Sequence, residues 1–586
     1  MAVTLPPVDV LIVGFGWTGA ILAQELTATG LDVLALERGP WRDTPTDFPV
    51  TFAQDELRYS YRNALNQNLA KDTLTFRNST NATALPMRRF GSFILGTGVG
   101  GSGVHWNGQS WRFLPSDFRM RSHNLERYGK KSLTDDMTIQ DWGVTYEELE
   151  PHYDKFEKLC GIGGTAGNLK GVIRDGGNPY EGPRQHEFPN PAMKMTYGPT
   201  LFAEAARDLG YKPFPQPSAN MSQAYTNPLG VQMAPCTYCG FCERFGCGNY
   251  SKAIPQTTIH PVLMRKPNFT LKTGCEVLKV NLDRSGKRAI SVTYVDEHGQ
   301  EWEQPAGLII LSAYATQNVR LLLHSGIGKP YDPQTGKGVI GKNYAYQIVS
   351  SVNVFFEDKL MNPFVGAGAL GMAVDEFNGD NFDHGPHEFI GGGYIYLLTT
   401  NGRPIQTNPV PEGTPAWGAK WKKAVAENYL KTVTIGTHGG VASYRDAYLD
   451  LDPTYRDAYG RPLLRMTFDF HANELKMTRF LTARAQEIAR AMQPREIRTN
   501  ARSAHYSIVP YQTTHNTGGA IMGDDPNTSA VNTYLQSWDV PNVFVMGACA
   551  FPQNAGYNPT ATVAALAYRA AEAITTRYLK RPGPLV

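Results

Sequence analysis

Residues 8–39, VDVLIVGFGWTGAILAQELTATGLDVLALERG, read as a strand, a glycine turn, a helix and a second strand, the order that a dinucleotide site requires. Gly14, Gly16 and Gly19 form G-x-G-x-x-G directly after the first apolar stretch. In such a turn the first glycine permits the bend, the second lets the backbone approach a pyrophosphate, and the third lets helix pack on strand. Glu37, 18 residues after Gly19, stands where an acid binds the ribose hydroxyls, and because no Arg replaces it, FAD or NAD is favoured over NADP. The alternative is a glycine-rich turn in an unrelated α/β protein.

The chain is too long for one hydrophobic core, and its balance of charge excludes several classes of partner. It has 586 residues, 41% hydrophobic residues and a net charge of +3. So small a charge gives no field that would attract nucleic acid. There is no run of 18 apolar residues that could span a bilayer, and the start, MAVTLPPVDVLIVG, lacks the features of a signal peptide. If the protein is exported, we expect it to travel folded on a partner that carries the signal.

Four cysteines lie within twelve residues, at Cys236, Cys239, Cys242 and Cys247, in the pattern C-x2-C-x2-C-x4-C. Thiolates are soft ligands that select iron–sulfur clusters, zinc or copper. The ferredoxin run C-x2-C-x2-C-x3-C differs by one residue, which favours an iron–sulfur cluster. A structural zinc knot also uses four thiolates, and disulfides are a third interpretation, although cysteines this close give strained pairings. A cluster beside a dinucleotide site would carry electrons from one cofactor to another.

Several further motifs, spread over nearly the whole chain, carry a family resemblance. They are LGTGVGGSGVHWNGQSWR from residue 95, LLLHSGIG from 321, GVIGKN from 338, and HNTGGAIMG followed by NVFVMGACAFPQNAGYNPTATVAALAYRAA near the C-terminus. With the fingerprint, they resemble the glucose–methanol–choline (GMC) flavoprotein oxidoreductases. Within that family the cysteine segment, YLQSWDVPNVFV and NFDHGP are most similar to the flavoprotein (large) subunits of membrane-bound gluconate 2-dehydrogenases.

The resemblance implies an α/β (α+β) fold, in which a Rossmann-like FAD-binding domain is interlaced with a sheet-based substrate domain. The expected FAD-binding pieces are 1–125, 225–345 and 505–586, with the iron–sulfur segment at 236–247. Residues 126–224 and 346–504 are expected to form the substrate-binding cap. Besides the fingerprint residues, the resemblance implies that FAD contacts Gly101, His105, Asn107, Val277, Asn343, Gly547, Ala548 and Pro559.

Oxidation of an alcohol needs a base for the hydroxyl proton while flavin N5 takes the hydride, and histidine is the simplest base near neutral pH. Of the 13 histidines, His515 falls on the catalytic position of the family and Asn558 on its partner position. An asparagine can bind the substrate oxygen without competing for the proton. Pro559 starts a predicted helix from Thr560 to about Leu579, whose positive end would stabilise reduced flavin. A satisfied core histidine is the alternative for His515.

The resemblance also implies how the cofactors are held and how electrons leave. His105 lies four residues after Gly101, the offset at which some members bind the flavin 8α-methyl group covalently, so we predict an 8α-histidyl FAD. The alternative is a histidine that only stacks near the flavin. Related complexes carry a 3Fe-4S cluster, which we favour here over 4Fe-4S. There is no C-x-x-C-H for c-type haem, so electrons would pass to another chain.

The resemblance implies a dehydrogenase subunit that oxidises D-gluconate to 2-keto-D-gluconate. The expected partners are a small signal-bearing subunit and a multihaem cytochrome c subunit, which would tether the protein to the periplasmic face of the inner membrane. An Arg or Lys should meet the substrate carboxylate, but no local pattern selects one. The alternatives are a dehydrogenase for 2-keto-D-gluconate, sorbitol or another polyol, and, in a different class, an FAD-binding lyase that performs no net oxidation.

Overall fold

The computed structural model describes residues 2–48, 65–70, 72–88, 93–400, 409–502, 504–510 and 513–585. None of the helices in these ranges is long and apolar enough to cross a membrane. The α-helices are, in chain order, α1 Trp17–Thr27, α2 Thr44–Asp47, α3 Met120–Tyr128, α4 Tyr146–Cys160, α5 Tyr197–Asp208, α6 Pro255–Thr258, α7 His260–Leu263, α8 Ala315–Ser325, α9 Ala419–Asn428, α10 Ala472–Ala491 and α11 Thr560–Ala573. The strands are β1 Val3–Thr4, β2 Val8–Val13, β3 Val33–Leu36, β4 Thr75–Arg77, β5 Leu85–Pro86, β6 Gly163–Gly164, β7 Asn168–Leu169, β8 Val172–Ile173, β9 Asn190–Pro191, β10 Phe214–Pro215, β11 Tyr225–Thr226, β12 Gln232–Met233, β13 Phe269–Lys272, β14 Glu276–Leu282, β15 Ala289–Val295, β16 Glu301–Leu311, β17 Gln347–Phe355, β18 Gly371–Val374, β19 Gly393–Leu398, β20 Thr432–Gly440, β21 Tyr448–Arg456, β22 Pro462–Thr467, β23 Glu496–Asn500 and β24 Val543–Val545.

The nucleotide half of the molecule is built on an eight-stranded sheet in the order β13-β3-β2-β16-β15-β14, with β1 and β24 also paired to β16. Strands β13, β3, β2, β16 and β24 run parallel, with Val10 opposite Val33 on one side and Leu308 on the other. The apolar runs of β2, β3 and β24 and of the last residues of β16 are typical of parallel strands that are covered on both faces. Helix α11 packs against α1 and α4 on one face of this sheet. The predicted Rossmann-like α/β fold is confirmed.

The other half is built on a six-stranded antiparallel sheet in the order β10-β18-β19-β20-β17-β23. Alternate residues of β19 divide between its two faces, because side chains of a strand point to opposite sides in turn. Ile395 and Leu397 join the apolar core under α5 and α10, whereas Tyr394 and Tyr396 line a cavity on the opposite face. One face of the sheet is therefore buried against helices, and the other face lines the cavity.

The two expected domains exchange strands in places. A four-stranded sheet in the order β21-β22-β4-β5 joins β22, from the expected cap, to β4, from the expected first FAD-binding piece. Strand β10, from residues 126–224, pairs with β18, from residues 346–504, so those two expected cap pieces share a sheet. The exact boundaries between the domains stay a prediction.

Candidate active site

A cavity of about 340 Å³ lies between the eight-stranded and the six-stranded sheets. Its volume falls in the usual range for small-molecule sites. Most of the residues predicted from the sequence line this cavity, namely Gly14, Gly16, Glu37, Gly101, His105, Asn107, Val277, His515, Gly547, Ala548, Asn558 and Pro559. Gly19, Asn343 and the four clustered cysteines lie outside its wall.

At the nucleotide end, the glycine turn is formed by close backbone contacts. Gly14 has φ +90°, and a Cβ there would lie 2.7 Å from Ala313 Cα. A Cβ on Gly19 would lie 2.4 Å from the Gly14 carbonyl oxygen, which explains why this glycine packs helix on strand although it does not line the cavity. At Gly16, by contrast, the nearest protein atoms to an added Cβ are 3.8 Å away. Gly16 therefore leaves room for a ligand at the N-terminus of α1.

The carboxylate of Glu37 is held by two backbone N–H groups, one from the glycine turn and one from the residues that follow β3. Its Oε2 accepts a hydrogen bond from the Phe15 N–H at 3.0 Å, and its Oε1 accepts one from the Gly39 N–H at 2.9 Å. Each oxygen keeps further lone pairs for ribose hydroxyls. Val277, near the start of β14, lines the same end of the cavity.

The second glycine stretch packs directly on the first. A Cβ on Gly101 would lie 3.1 Å from Gly16 Cα. His105 follows one turn later, and its Nε2 is buried and has no hydrogen-bond partner among the described residues. Burial, together with the nearby ammonium of Lys252, lowers the pKa of His105 to about 4. The imidazole is therefore neutral, with one ring nitrogen left for a ligand.

At the reaction end, Gln347 fixes the tautomer of His515. The Gln347 Nε2 donates to the carbonyl oxygens of Ala555 and Tyr557, both at 2.8 Å, so its Oε1 is turned to His515 Nδ1. An amide oxygen only accepts, so we infer that His515 carries its proton on Nδ1 and a lone pair on Nε2. Burial lowers the pKa of His515 to about 3. The ring is thus a neutral acceptor in the cavity wall.

Asn558 stands beside that lone pair. Its Nδ2 lies 3.4 Å from His515 Nε2, and its Oδ1 lies 2.9 Å from the Tyr394 hydroxyl. Helix α11 begins at Thr560, as the sequence predicts, and the preceding residue, Pro559, is its N-cap. The N-terminus of α11 therefore meets the cavity next to Asn558.

Of two further residues that the resemblance implies as FAD contacts, Gly547 lines the cavity and Asn343 does not. Gly547 has φ +108°, and an added Cβ would meet no atom within 4 Å, so its open side faces space in the cavity wall. Asn343, which the resemblance places near the flavin, is fully buried away from the cavity. Its Nδ2 donates to the carbonyl oxygens of Thr138 and Pro552, both at 3.0 Å, so it fastens the surrounding loops together.

The sequence did not reveal three residues that shape the reaction end: Gln347, Tyr394 and His438. The Tyr394 hydroxyl contacts Asn558, Gln109 Oε1 at 2.9 Å and His438 Nδ1 at 3.2 Å. All three residues come from strands of the six-stranded sheet. A polar residue at an inward position of an otherwise apolar strand was the available signal, and only the sheet register shows which face is inward.

The four clustered cysteines lie in one loop next to the cavity. Cys242 and Cys247 are buried, and Cys236 and Cys239 are half-buried. Burial raises the pKa of the Cys242 thiol to about 12, although the ammonium of Lys252 opposes the shift, and it raises the pKa of Cys236 as well. Across the described ranges, no three His, Cys, Asp or Glu side chains are arranged to hold a metal ion. As they stand, the thiols supply the right chemistry but not a formed site.

Backbone and side-chain donors nevertheless point at these sulfurs. The N–H groups of Tyr238 and Ser251 lie 3.4 Å from the sulfurs of Cys236 and Cys247, and Asn220 Nδ2 lies 3.5 Å from that of Cys242. Hydrogen bonds to sulfur are among the features that tune an iron–sulfur site.

Lys252 joins the cysteine loop to the His105 loop. Its fully buried ammonium donates to the carbonyl oxygens of Trp106 at 2.7 Å and of Cys242 and Phe245 at 2.8 Å each. These three bonds use all of its protons. A positive charge is thereby fixed between the predicted flavin attachment and the thiols.

Among the described residues, four arginines line the cavity. Three of them, at the nucleotide end, form ion pairs with aspartates, namely Arg38, Arg320 and Arg461, and the fourth, Arg244, lies 3.7 Å from the carboxylate of Glu243. Arg244 belongs to the cysteine loop, and its backbone N–H donates to the His105 carbonyl oxygen at 2.7 Å. The structure does not decide which cation binds a substrate carboxylate. Arg244 differs from the other three arginines in that it lies next to the His105 loop.

The cavity residues fit FAD. The open face of Gly16, the carboxylate of Glu37, the unpartnered His105 nitrogen and the open face of Gly547 follow one another along a single cavity. Sequence models of the GMC oxidoreductase family match residues 200–349 and 443–567. The chain is 51% identical to the gluconate 2-dehydrogenase flavoprotein of Pantoea cypripedii, over 99% of this chain and 96% of that protein. The protein is a GMC oxidoreductase.

More distant relatives of this GMC oxidoreductase also match over almost their full length. It is 27% identical to the 2-methyl-1,2-propanediol dehydrogenase of Mycolicibacterium austroafricanum, over 99% of this chain and 97% of that one. It is 25% identical to the fructose dehydrogenase large subunit of Gluconobacter japonicus, over 97% of each. The solved structure of pyridoxine 4-oxidase from Mesorbium loti shares the fold, with a TM-score of 0.58 and 17% identity over 97% of this chain and 99% of that one. The predicted family is confirmed, and with it an FAD-dependent oxidoreductase acting on CH–OH groups.

Proposed function

We propose that this GMC oxidoreductase is the flavoprotein subunit of a gluconate 2-dehydrogenase and oxidises D-gluconate at C2 to 2-keto-D-gluconate. The identity of 51% along nearly the whole chain to a gluconate 2-dehydrogenase flavoprotein supports the substrate. The observation that carries the chemistry is the pair of His515 and Asn558, held 3.4 Å apart in the cavity.

In this proposal, His515 removes the proton of the substrate hydroxyl. Its Nε2 lone pair is kept available because Gln347 holds the proton on the other nitrogen. The 3.4 Å contact from Asn558 Nδ2 is long, so a substrate hydroxyl can take its place and receive the amide's hydrogen bond instead. FAD, when bound, supplies the hydride acceptor, N5. The N-terminus of α11 next to Asn558 favours negative charge at this end of the cavity.

His105 is proposed as the covalent attachment of the flavin 8α-methyl group. Its support is the neutral, unpartnered Nε2 in the cavity wall. Attachment would replace one N–H bond of the histidine and one C–H bond of the methyl group with an N–C bond, and FAD itself would take up the two electrons and two protons released before passing them to the electron acceptor. Stacking without a bond is the alternative, and mass spectrometry of the peptide containing residue 105, from denatured protein, distinguishes the two.

The cysteine loop is proposed to bind an iron–sulfur cluster, 3Fe-4S rather than 4Fe-4S, that receives electrons from FAD. Support comes from the four thiols of one loop, the donors near three of their sulfurs, and the buried ammonium of Lys252, which would offset the charge of thiolates. Formation of the cluster would require the side chains to draw together. Zinc and disulfides are the alternatives for the same cysteines.

The proposed assembly contains a small subunit that carries the export signal and a multihaem cytochrome c subunit. This follows from the relation to one chain of a gluconate 2-dehydrogenase, since a dehydrogenase without haem must pass its electrons on. The protein would then work in the periplasm, in contact with the inner membrane only through its partners.

The first experiment is anaerobic addition of D-gluconate to the purified protein, with iron, zinc and acid-labile sulfide measured on the same sample. We expect the flavin absorbance to bleach when about one gluconate per flavin has been added, together with an iron–sulfur EPR signal that changes on adding gluconate. Bleaching by 2-keto-D-gluconate, sorbitol or D-fructose but not by gluconate would replace the substrate. Zinc instead of iron would reduce the cysteine loop to a structural knot, and no bleaching with any of these compounds would favour the lyase.

A further inference from the structure

His438 is a second histidine in the wall of the reaction end. It lies on β20, in the middle of the six-stranded sheet, and only 3% of its surface is exposed. Its ring lines the cavity, with its centroid 5.4 Å from that of the His515 ring. Its Nε2 is buried and has no hydrogen-bond partner among the described residues. A buried polar nitrogen costs stability unless something satisfies it, and a ligand in the cavity is placed to do so.

The hydrogen-bond network around Tyr394 fixes which nitrogen of His438 carries the proton. The Tyr394 hydroxyl has one proton and three neighbours: the oxygens of Gln109 and Asn558, each at 2.9 Å, and His438 Nδ1 at 3.2 Å. Both amides turn their oxygen to the hydroxyl. Gln109 Oε1 also accepts from the Trp111 N–H at 3.0 Å, which fixes that orientation.

The orientation of Asn558 follows from the other histidine. Because Gln347 leaves His515 with a lone pair on Nε2, the group facing that lone pair must be the Asn558 NH2, and its oxygen is left for Tyr394. Two amide oxygens then compete for a single tyrosine proton. His438 Nδ1 must therefore donate its own proton to the Tyr394 oxygen, and its Nε2 carries a lone pair.

We propose that His438 Nε2 accepts a hydrogen bond from a second hydroxyl of the substrate, next to the hydroxyl whose proton His515 takes. This inference rests on the proposed function and adds a specificity-determining residue to it. Two neutral imidazoles offer lone pairs side by side, and both rings are kept uncharged by burial. For D-gluconate oxidised at C2, the partner of His438 is the C3 hydroxyl.

The same tautomer argues against the carboxylate as the partner of His438. An ionised carboxylate only accepts hydrogen bonds, so it would face a lone pair, whereas a hydroxyl can donate. A site that hydrogen-bonds a substrate hydroxyl rejects analogues that lack it, because the buried acceptor is left unpaired. The structure thus favours polyol acids over simple 2-hydroxy acids.

The test compares D-gluconate with 3-deoxy-D-gluconate in the holoenzyme and in His438→Leu, with kcat/KM measured anaerobically by dye reduction. We expect the unaltered protein to prefer gluconate strongly. In His438→Leu, the ratio of kcat/KM for gluconate to that for the 3-deoxy compound should fall by about 10- to 100-fold, mostly through KM. His438→Gln, whose amide oxygen can accept from the hydroxyl, should recover part of the ratio. His260→Leu, which removes a buried histidine outside the cavity, is the matched control and should keep the ratio.

A binding measurement separates recognition from turnover. Calorimetry with 2-deoxy-D-gluconate, which lacks the reacting hydroxyl but keeps the neighbouring one, should show tighter binding than with the 2,3-dideoxy compound, and His438→Leu should abolish this difference. Equal losses on both substrates in His438→Leu would overturn the proposal and make His438 a support for Asn558. Unchanged kcat/KM on both substrates would overturn it as well. Failure of the unaltered protein to oxidise gluconate would contradict the proposed function instead, and the same comparison would then use the polyol that it does oxidise, with its deoxy analogue.

Discussion

The nucleotide end and the reaction end of the cavity are formed by different parts of the residues that line them. At the nucleotide end, backbone atoms form the site, since Gly14, Gly16 and Gly19 contribute no side chain and Glu37 is held by two backbone N–H groups. At the reaction end, side chains form the site, and its two central residues are oriented by other side chains, His515 by Gln347 and Asn558 by Tyr394.

The difference teaches where each end is sensitive. A site made of backbone fails when a Cβ enters it, because the close contacts leave no room and the surrounding chain would have to shift. A site made of side chains keeps its shape after a conservative substitution. What it loses is the hydrogen bond that determines which nitrogen of a histidine carries the proton.

The largest effect is expected for His515→Ala. Removal of the base should lower kcat for gluconate by about 10²- to 10⁴-fold, because general base catalysis contributes that much. The flavin spectrum and flavin content should stay as they are, since His515 is at the reaction end. Anaerobic stopped-flow reduction of the flavin measures the step directly.

An exposed histidine of the same region provides the control for that variant. His505, with 81% of its side chain exposed and an ion pair to Asp469, lies in the same stretch of chain. His505→Ala should keep full activity. Loss of flavin together with activity in His515→Ala would count against a chemical role for His515.

The second prediction contrasts two glycines of one turn. Gly19→Ala places a Cβ 2.4 Å from the Gly14 carbonyl oxygen, which should destabilise the fold itself by about 1–3 kcal/mol. Gly16→Ala meets no protein atom nearer than 3.8 Å, so it should fold normally but bind less FAD. Thermal unfolding and the ratio of flavin to protein absorbance measure the two effects, and equal flavin contents in Gly16→Ala and the unaltered protein would mean that the pyrophosphate lies elsewhere.

The contrast also explains how much the sequence could reveal. The strand, glycines, helix and acid of the nucleotide end are contiguous in the sequence, so spacing alone could select Gly14, Gly16 and Glu37, which line one cavity in the structure. Their contacts with FAD stay a prediction. His515 and Asn558 could be selected only through the family resemblance, since no local pattern separates them from other polar residues.

Residues of the reaction end that come from separate strands were out of reach for physical reasons. Gln347, Tyr394 and His438 are brought together by the register of β17, β19 and β20, in which Tyr394 lies opposite His438. Register between distant strands depends on tertiary packing that a single sequence does not display. Asn343, which the resemblance places near the flavin, joins the loops of Thr138 and Pro552 and does not line the cavity, so its contact with FAD stays a prediction.

Gln347→Met tests whether a side chain at the reaction end acts by orienting another. Without the amide oxygen, the proton of His515 is no longer held on Nδ1, and we expect kcat to fall about tenfold, since one such hydrogen bond is worth on the order of 1 kcal/mol. KM and flavin content should change little. Gln304→Met is the control, because Gln304 is a buried glutamine whose amide joins backbone carbonyls far from the cavity. A lower melting temperature with unchanged kcat would make Gln347 a purely structural residue.

The smallest effect concerns His260, a histidine of the nucleotide half that takes no part in the site. Its ring stacks on Phe15 at 5.0 Å, neither ring nitrogen has a partner among the described residues, and burial lowers its pKa to about 3. The unfolded chain binds this proton near pH 6.5 while the folded protein does not, so the stability that depends on a neutral His260 is complete above pH 6.5 and is lost as the pH falls toward 3. His260→Leu removes that loss. The difference between the melting temperature of the variant and that of the unaltered protein should therefore be more positive at pH 5 than at pH 8, by about 1–2 °C in a chain of this size. His298→Leu, at an exposed position, should show no such rise. An equal difference at both pH values would mean that the folded protein binds this proton as readily as the unfolded chain. The nucleotide end would then hold a charged His260 in its core at pH 5.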